Sequence, residues 1–305
     1  MTSETNSCYA VVYQMGKVAS SSLVHTLNAI EGFTAVQSHF LGRESFRELV
    51  SYLPNATLPE YFFEHQLGQL VSNLRTTRQM NLLRANPALG TLLVISVTRD
   101  PFEWIRSVIV QDIEGFLPYF RRLGSAPGTE AIDDDTAVGI AIQKVLKSTN
   151  EIVERHGGFD ALISRLRASK LSEFVADSAL SDPDYFQIFN VIITPLDWFQ
   201  RHFEVALGLK VAELNSQDGM LQKTVGNASY FILRYERIDE DFKLTLKKMG
   251  VRDIPAIAQE NLSAAKPFAK AIKAAFESPE AKLLQKSLSE TTYSRAFGYD
   301  LERSS

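Results

Sequence analysis

A lysine followed, after two spacer residues, by three consecutive serines can hold an anion. Gly16-Lys17-Val18-Ala19-Ser20-Ser21-Ser22 has that form. Lys17 brings a full positive charge and the serine hydroxyls bring hydrogen-bond donors. Farther along, Arg99, Pro101 and Ser107 form the pattern R-x-P-x5-S. Arginine suits phosphate because its planar fork can bind two oxygens at once. His39, in Ser38-His39-Phe40, titrates close to neutral pH when unperturbed and is a candidate general base. Together these groups suit the binding of a nucleotide by its phosphates, with a base at hand.

The surrounding sequence predicts elements that position them. Tyr9 to Tyr13 is an apolar run that reads as a buried strand, Gln14 to Ser22 as a loop, and Leu23, Leu27 and Ile30 as one face of a helix. A strand feeding a loop and a helix N-terminus directs backbone N–H groups and the helix dipole at a ligand. Thr91 to Thr98, TLLVISVT, is the clearest strand, near-continuously apolar and β-branched. It runs into Arg99-Asp100-Pro101, where Asp100 can N-cap a helix that begins with Pro101. Ser107 then falls about two turns into that helix. A second strand, Phe33 to Leu41, ends near His39.

The ATP/GTP phosphate loop G-x-x-x-x-G-K-[ST] does not fit. Val11 stands where the first glycine belongs, and Val18 where the Mg²⁺-binding hydroxyl belongs. The spacing instead resembles the sulfotransferase superfamily that uses 3′-phosphoadenosine 5′-phosphosulfate (PAPS), with no metal. Leu233-Arg234-Tyr235-Glu236 resembles that family's late strand end. Thr194 to Phe199 (TPLDWF) and Asn261 to Phe268 (NLSAAKPF) are similar to its bacterial branch of sulfotransferase-like and capsular polysaccharide synthesis proteins. Residues 43 to 90 and 110 to 185 carry no matching motif.

The resemblance implies that the loop Gly16, Lys17, Val18, Ala19, Ser20, Ser21 and Ser22 binds the 5′-phosphosulfate, and that Arg99 and Ser107 bind the 3′-phosphate. It implies Lys17 and His39 as catalytic groups and an acceptor hydroxyl of a small molecule or glycan, with a carbohydrate favoured. Gln37 stands where some carbohydrate sulfotransferases carry a Glu, so the base role passes to His39; Glu64, His65, Asp112 and Glu114 are reserve candidates. Lys266 is a further cofactor candidate. The family often has Gly at the position of Ala19; an ordinary φ there would suit alanine, whereas a positive φ would strain it. Trp104 and Trp198 read as core residues before they read as stacking platforms.

The rest of the chain predicts an α/β fold with a central parallel sheet flanked by helices; the resemblance implies that it is of the P-loop NTPase-like sulfotransferase type. One domain covers 1–305, with helical insertions at roughly 43–90 and 110–185 and a helical C-terminal part at 254–301. Tyr185 to Ile193 is expected as a strand, 113 to 137 as a loop or lid, and Tyr230 to Tyr235 as a last strand. Hydrophobic residues at 45% and charged residues at 22% are ordinary for a globular protein, and the net charge of -4 argues against general nucleic-acid binding. With Cys8 the sole cysteine, no intramolecular disulfide or zinc spacing exists. No signal peptide or membrane span is visible, so a cytoplasmic location is expected; oligomeric state is open. Two other readings stand beside the sulfotransferase: a P-loop nucleotide kinase, and a non-catalytic nucleotide-binding protein that has kept the fold.

Overall fold

A computed structural model describes residues 7–52, 60–124, 133–168, 180–258 and 267–300, without the side chains at 48, 49, 51, 52 and 60–66. The chain opens with strand β1 (Cys8–Tyr13), helix α1 (Ser20–Asn28), strand β2 (Phe33–Ser38), helices α2 (Gly42–Tyr52) and α3 (Glu60–Ala85), and strand β3 (Thr91–Thr98). Helices α4 (Pro101–Gln111), α5 (Ile113–Gly124), α6 (Asp134–Arg155), α7 (Phe159–Ala168) and α8 (Pro183–Trp198) follow. A π-helical segment, Phe199–Phe203, leads to α9 (Glu204–Leu207). Strands β4 (Asn215–Gln217), β5 (Met220–Val225) and β6 (Ala228–Arg234) complete the sheet, and α10 (Ile238–Lys248), α11 (Ala269–Ala275), α12 (Pro279–Ser289) and α13 (Thr292–Phe297) complete the chain.

The six strands lie in the order β2-β1-β3-β6-β5-β4. The first four are parallel, and β5 and β4 are antiparallel additions at one edge. The sheet is therefore mixed, which corrects the expectation of a parallel one. The parallel part follows from composition: Ala10 to Tyr13 and Leu92 to Ile95 are fully buried, as strands covered on both faces must be. The antiparallel part comes from a tight turn. Asp218 (φ 56°) and Gly219 (φ 79°) are both left-handed, the conformation that a two-residue hairpin needs.

The chain divides into two compact units, each made of two stretches: Met1–Arg99 with Trp198–Glu260, and Asp100–Asp197 with Asn261–Ser305. The first holds the whole sheet, with α1 packed on β1 and β2, and α3 on β2 and β3. The second is helical. Here α6 packs against α5, α11 and α12, and α4 against α11 and α12.

Two further expectations fail in the second unit. Tyr185 to Ile193 is helix, not strand: its buried residues Tyr185, Ile188, Phe189 and Ile192 recur at helical spacing. Pro195 does not end that helix, although it removes one backbone donor. Of the expected loop at 113–137, residues 113–124 form α5 with Pro118 inside it, 134–137 begin α6, and 125–132 lie outside the described residues. Arg121 of α5 binds Asp134, one of three consecutive aspartates at 133–135. Asp133 caps α6 through the Thr136 N–H at 3.0 Å.

Candidate active site

The β1–α1 junction is built from left-handed backbone. Gly16 (φ 93°), Lys17 (φ 56°) and Ala19 (φ 59°) all have positive φ. Only the first is a glycine, so the alanine does not take the ordinary φ that would suit it. Non-glycine residues held in this region cost about 1–3 kcal/mol each and cluster at functional sites. The serines lie in the first turn of α1 rather than in the loop. Ser20 and Ser22 are buried, and Ser21 is exposed.

Ala19 stands at the N-cap of α1 and has no side chain to cap with. The first intrahelical bond runs from Leu23 N–H to Ala19 O at 3.0 Å. The N–H groups of Ser20, Ser21 and Ser22 therefore find no acceptor among the described residues. These are the donors that a helix start leaves over, and the positive end of the dipole lies with them.

Strand register brings further groups to this end of the sheet. In the β1–β2 ladder Tyr13 pairs with Ser38, which sets His39 beside Gln14. The His39 Nδ1–H donates to Gln14 O at 2.9 Å; a carbonyl only accepts, so this nitrogen carries the proton. In the neutral ring Nε2 then holds the lone pair, and it accepts from Gln37 Nε2–H at 2.9 Å. His39 Cε1 also lies 3.8 Å from where a Cβ on Gly16 would stand. The imidazole thus borders the loop, but its basic nitrogen is occupied by the Gln37 amide. Gln14 is itself fully buried: its Oε1 accepts from Gly16 N–H, and its Nε2 has no acceptor among the described residues.

Arg99 reaches the same loop from β3. Its Nη1 donates to Lys17 O at 3.1 Å, and its guanidinium lies over the Tyr235 ring, 4.2 Å from the centroid. The β3–β6 register explains the second contact. Thr98 pairs with Arg234, so the next residues, Arg99 and Tyr235, leave their strands side by side. Arg234 N–H in turn donates to the buried Asp241 at 3.0 Å, fixing the end of β6. Burial pushes the Asp241 carboxyl above its ordinary range, against the Arg234 N–H bond and the nearby Arg237 and Arg234 charges.

An aromatic cluster supports the end of β1. The Tyr13 ring meets Trp198 edge-on at 4.9 Å and stacks on Phe203 at 6.5 Å. His202, in the π-helical segment, packs on Trp198 and Phe40, and Ser45 Oγ is 3.4 Å from its Nδ1. Burial, and then the Arg201 charge, lower its pKa to about 4, so it is neutral at pH 7. Trp198 is therefore a core residue, as is Trp104 in the second unit.

Lys17, Ser20, Ser21, Ser22, His39 and Arg99 are thus brought to one end of the sheet within the first unit. Ser107 belongs to the second, on α4, where its Oγ accepts from Gln111 Nε2 at 3.4 Å. Asp112, the C-cap of α4, and Glu114, in the first turn of α5, belong there too. The side chains of Glu64 and His65, and all of Lys266, lie outside the described residues. Gln14, Gln37 and Tyr235 were not assigned these roles from sequence. The Arg-Tyr-Glu strand end was the signal for Tyr235; no spacing announces the two glutamines.

No group of three or more His, Cys, Asp or Glu side chains able to hold a metal occurs among the described residues. No described helix is long and apolar enough to cross a membrane. Compared with known proteins, the chain matches no family model, no curated protein and no solved structure.

Proposed function

We propose that this protein is a sulfotransferase that takes a sulfuryl group from PAPS and passes it to an acceptor hydroxyl, one borne by a carbohydrate. The observation that carries the reading is the open start of α1: three serine N–H groups without acceptors among the described residues, next to Lys17 and to an arginine clasping the Lys17 carbonyl. Such a set fits a phosphate-ended nucleotide. Val18 offers no hydroxyl for Mg²⁺, which favours a donor handled without metal over ATP.

In this reading the α1 amides and the hydroxyls of Ser20, Ser21 and Ser22 hold the 5′-phosphate. The Lys17 ammonium neutralises charge on the oxygen that leaves with it. Arg99, held against Tyr235, takes the 3′-phosphate; the share given to Ser107 rests on sequence spacing alone. PAPS supplies the activated sulfuryl group, and the transfer needs mainly alignment and charge neutralisation. His39 accepts the acceptor's proton at Nε2 once the Gln37 amide swings away, with Nδ1–H anchored on Gln14 O throughout.

Thermal-shift titration tests the donor class. Adenosine 3′,5′-bisphosphate is expected to stabilise the protein more than ATP with Mg²⁺, and Arg99→Ala to weaken the bisphosphate at least tenfold, about 1.4 kcal/mol. A larger effect from ATP with Mg²⁺ would favour a kinase. An unchanged affinity in Arg99→Ala would remove the 3′-phosphate assignment.

A further inference from the structure

Between α2 and α3, within the first unit, lies a groove of about 560 Å³. That size is within the ~300–1,000 Å³ of small-molecule sites. Phe46, Leu74 and Leu82 give it apolar walls, and Leu74 is 52% exposed. Among the described residues, no carboxylate lines it. Its charged residues are Arg43 and Arg78, and neither has an ion pair or hydrogen bond among the described residues. Two unpaired guanidiniums beside bare apolar side chains suit a ligand with a negative head and an apolar body.

A third group points the same way. Gly42 N–H donates to Thr77 Oγ1 at 3.1 Å, and the Thr77 hydroxyl donates to Asn73 Oδ1 at 3.1 Å. All three residues line the groove. This relay uses the Asn73 carbonyl and leaves its amide. Asn73 is 1% exposed, and its Nδ2 has no acceptor among the described residues. Buried amide donors are nearly always paired, so an orphan lining a cavity calls for an acceptor from a ligand.

We propose that the α2–α3 groove binds a small anionic amphiphile. Its apolar chain or ring lies on Phe46, Leu74 and Leu82. Its carboxylate or phosphate-type head is taken by Arg43 and Arg78, with Asn73 Nδ2 as a third donor. Leu67 and Val71 extend the exposed apolar surface along α3, as a membrane-facing helix would, but an orphan amide at a buried position is satisfied by a discrete acceptor atom. The site is separate from the nucleotide reading and stands or falls without it.

Calorimetric titration with decanoate below its micelle concentration tests the proposal. Saturable one-to-one binding is expected, with decanol and acetate each at least tenfold weaker. The double variant Arg43→Ala/Arg78→Ala is expected to bind decanoate at least tenfold more weakly, with an unchanged ligand-free melting midpoint. Decanol matching decanoate, or undiminished binding in the double variant, overturns the proposal. So does binding to anionic phospholipid vesicles without saturable decanoate binding, which would make this face a membrane surface.

Discussion

The chain makes two strand-to-helix junctions of the same order, β1 to α1 and β3 to α4, and finishes them in opposite ways. At α4, Asp100 accepts from the Glu103 N–H at 2.9 Å, and Pro101 fills the first turn with a residue that has no donor to satisfy. That helix start is mostly closed by its own sequence: among the described residues only the Phe102 N–H is left over. At α1 the N-cap is an alanine in a left-handed conformation, and three N–H groups are left over among the described residues. One junction is stabilised for folding. The other carries strain and unmet donors, the pattern expected where a ligand completes the structure.

The largest test of this contrast is Lys17→Ala. In a sulfotransferase it should slow sulfuryl transfer by ~100-fold or more, with little change in melting midpoint, because Lys17 acts on the leaving group. An unchanged turnover number would remove Lys17 from the chemistry. Asp100→Ala should do the reverse: a loss of about 1 kcal/mol in denaturant unfolding, with bisphosphate affinity unaltered. If affinity fell as stability fell, the two helix starts would not be separate in function. The smallest effect belongs to Ala19→Gly. Relief of the left-handed alanine, partly offset by the greater freedom of glycine in the unfolded chain, should stabilise the protein by about 0.5 kcal/mol. A loss of stability would show that Ala19 is not strained.

The sequence made both junctions legible because local rules govern them. Continuous β-branched residues in Thr91–Thr98 mark a buried strand, and Asp-Pro marks a helix start. The same rules misled at Tyr185 to Ile193, where aromatic and β-branched content favoured a strand and the helical spacing of the buried residues was the better guide. The β4–β5 hairpin carries a local signal, Asp218-Gly219, in the two positions between its paired strand ends. The His39 arrangement is different in kind. It depends on β1–β2 register and on which atoms Gln14 and Gln37 turn toward the ring, and residue order does not encode that directly. Gln37 read as a lost carboxylate; in the fold it is a partner that occupies the nitrogen a base would use.

The position of β6 in the sheet has a consequence for biosynthesis. It lies beside β3, yet about 130 residues separate the two in sequence. At roughly 5–20 residues per second, a ribosome needs about 6–26 s to make them. Through that interval one whole edge of β3, a strand buried from Leu92 to Thr98 in the finished fold, awaits its partner. A nascent chain in this state is a substrate for holding chaperones and a target for mispairing. Late substitutions in β6, such as charges at Phe231 or Leu233, should therefore lower soluble yield by more than their cost to the finished fold.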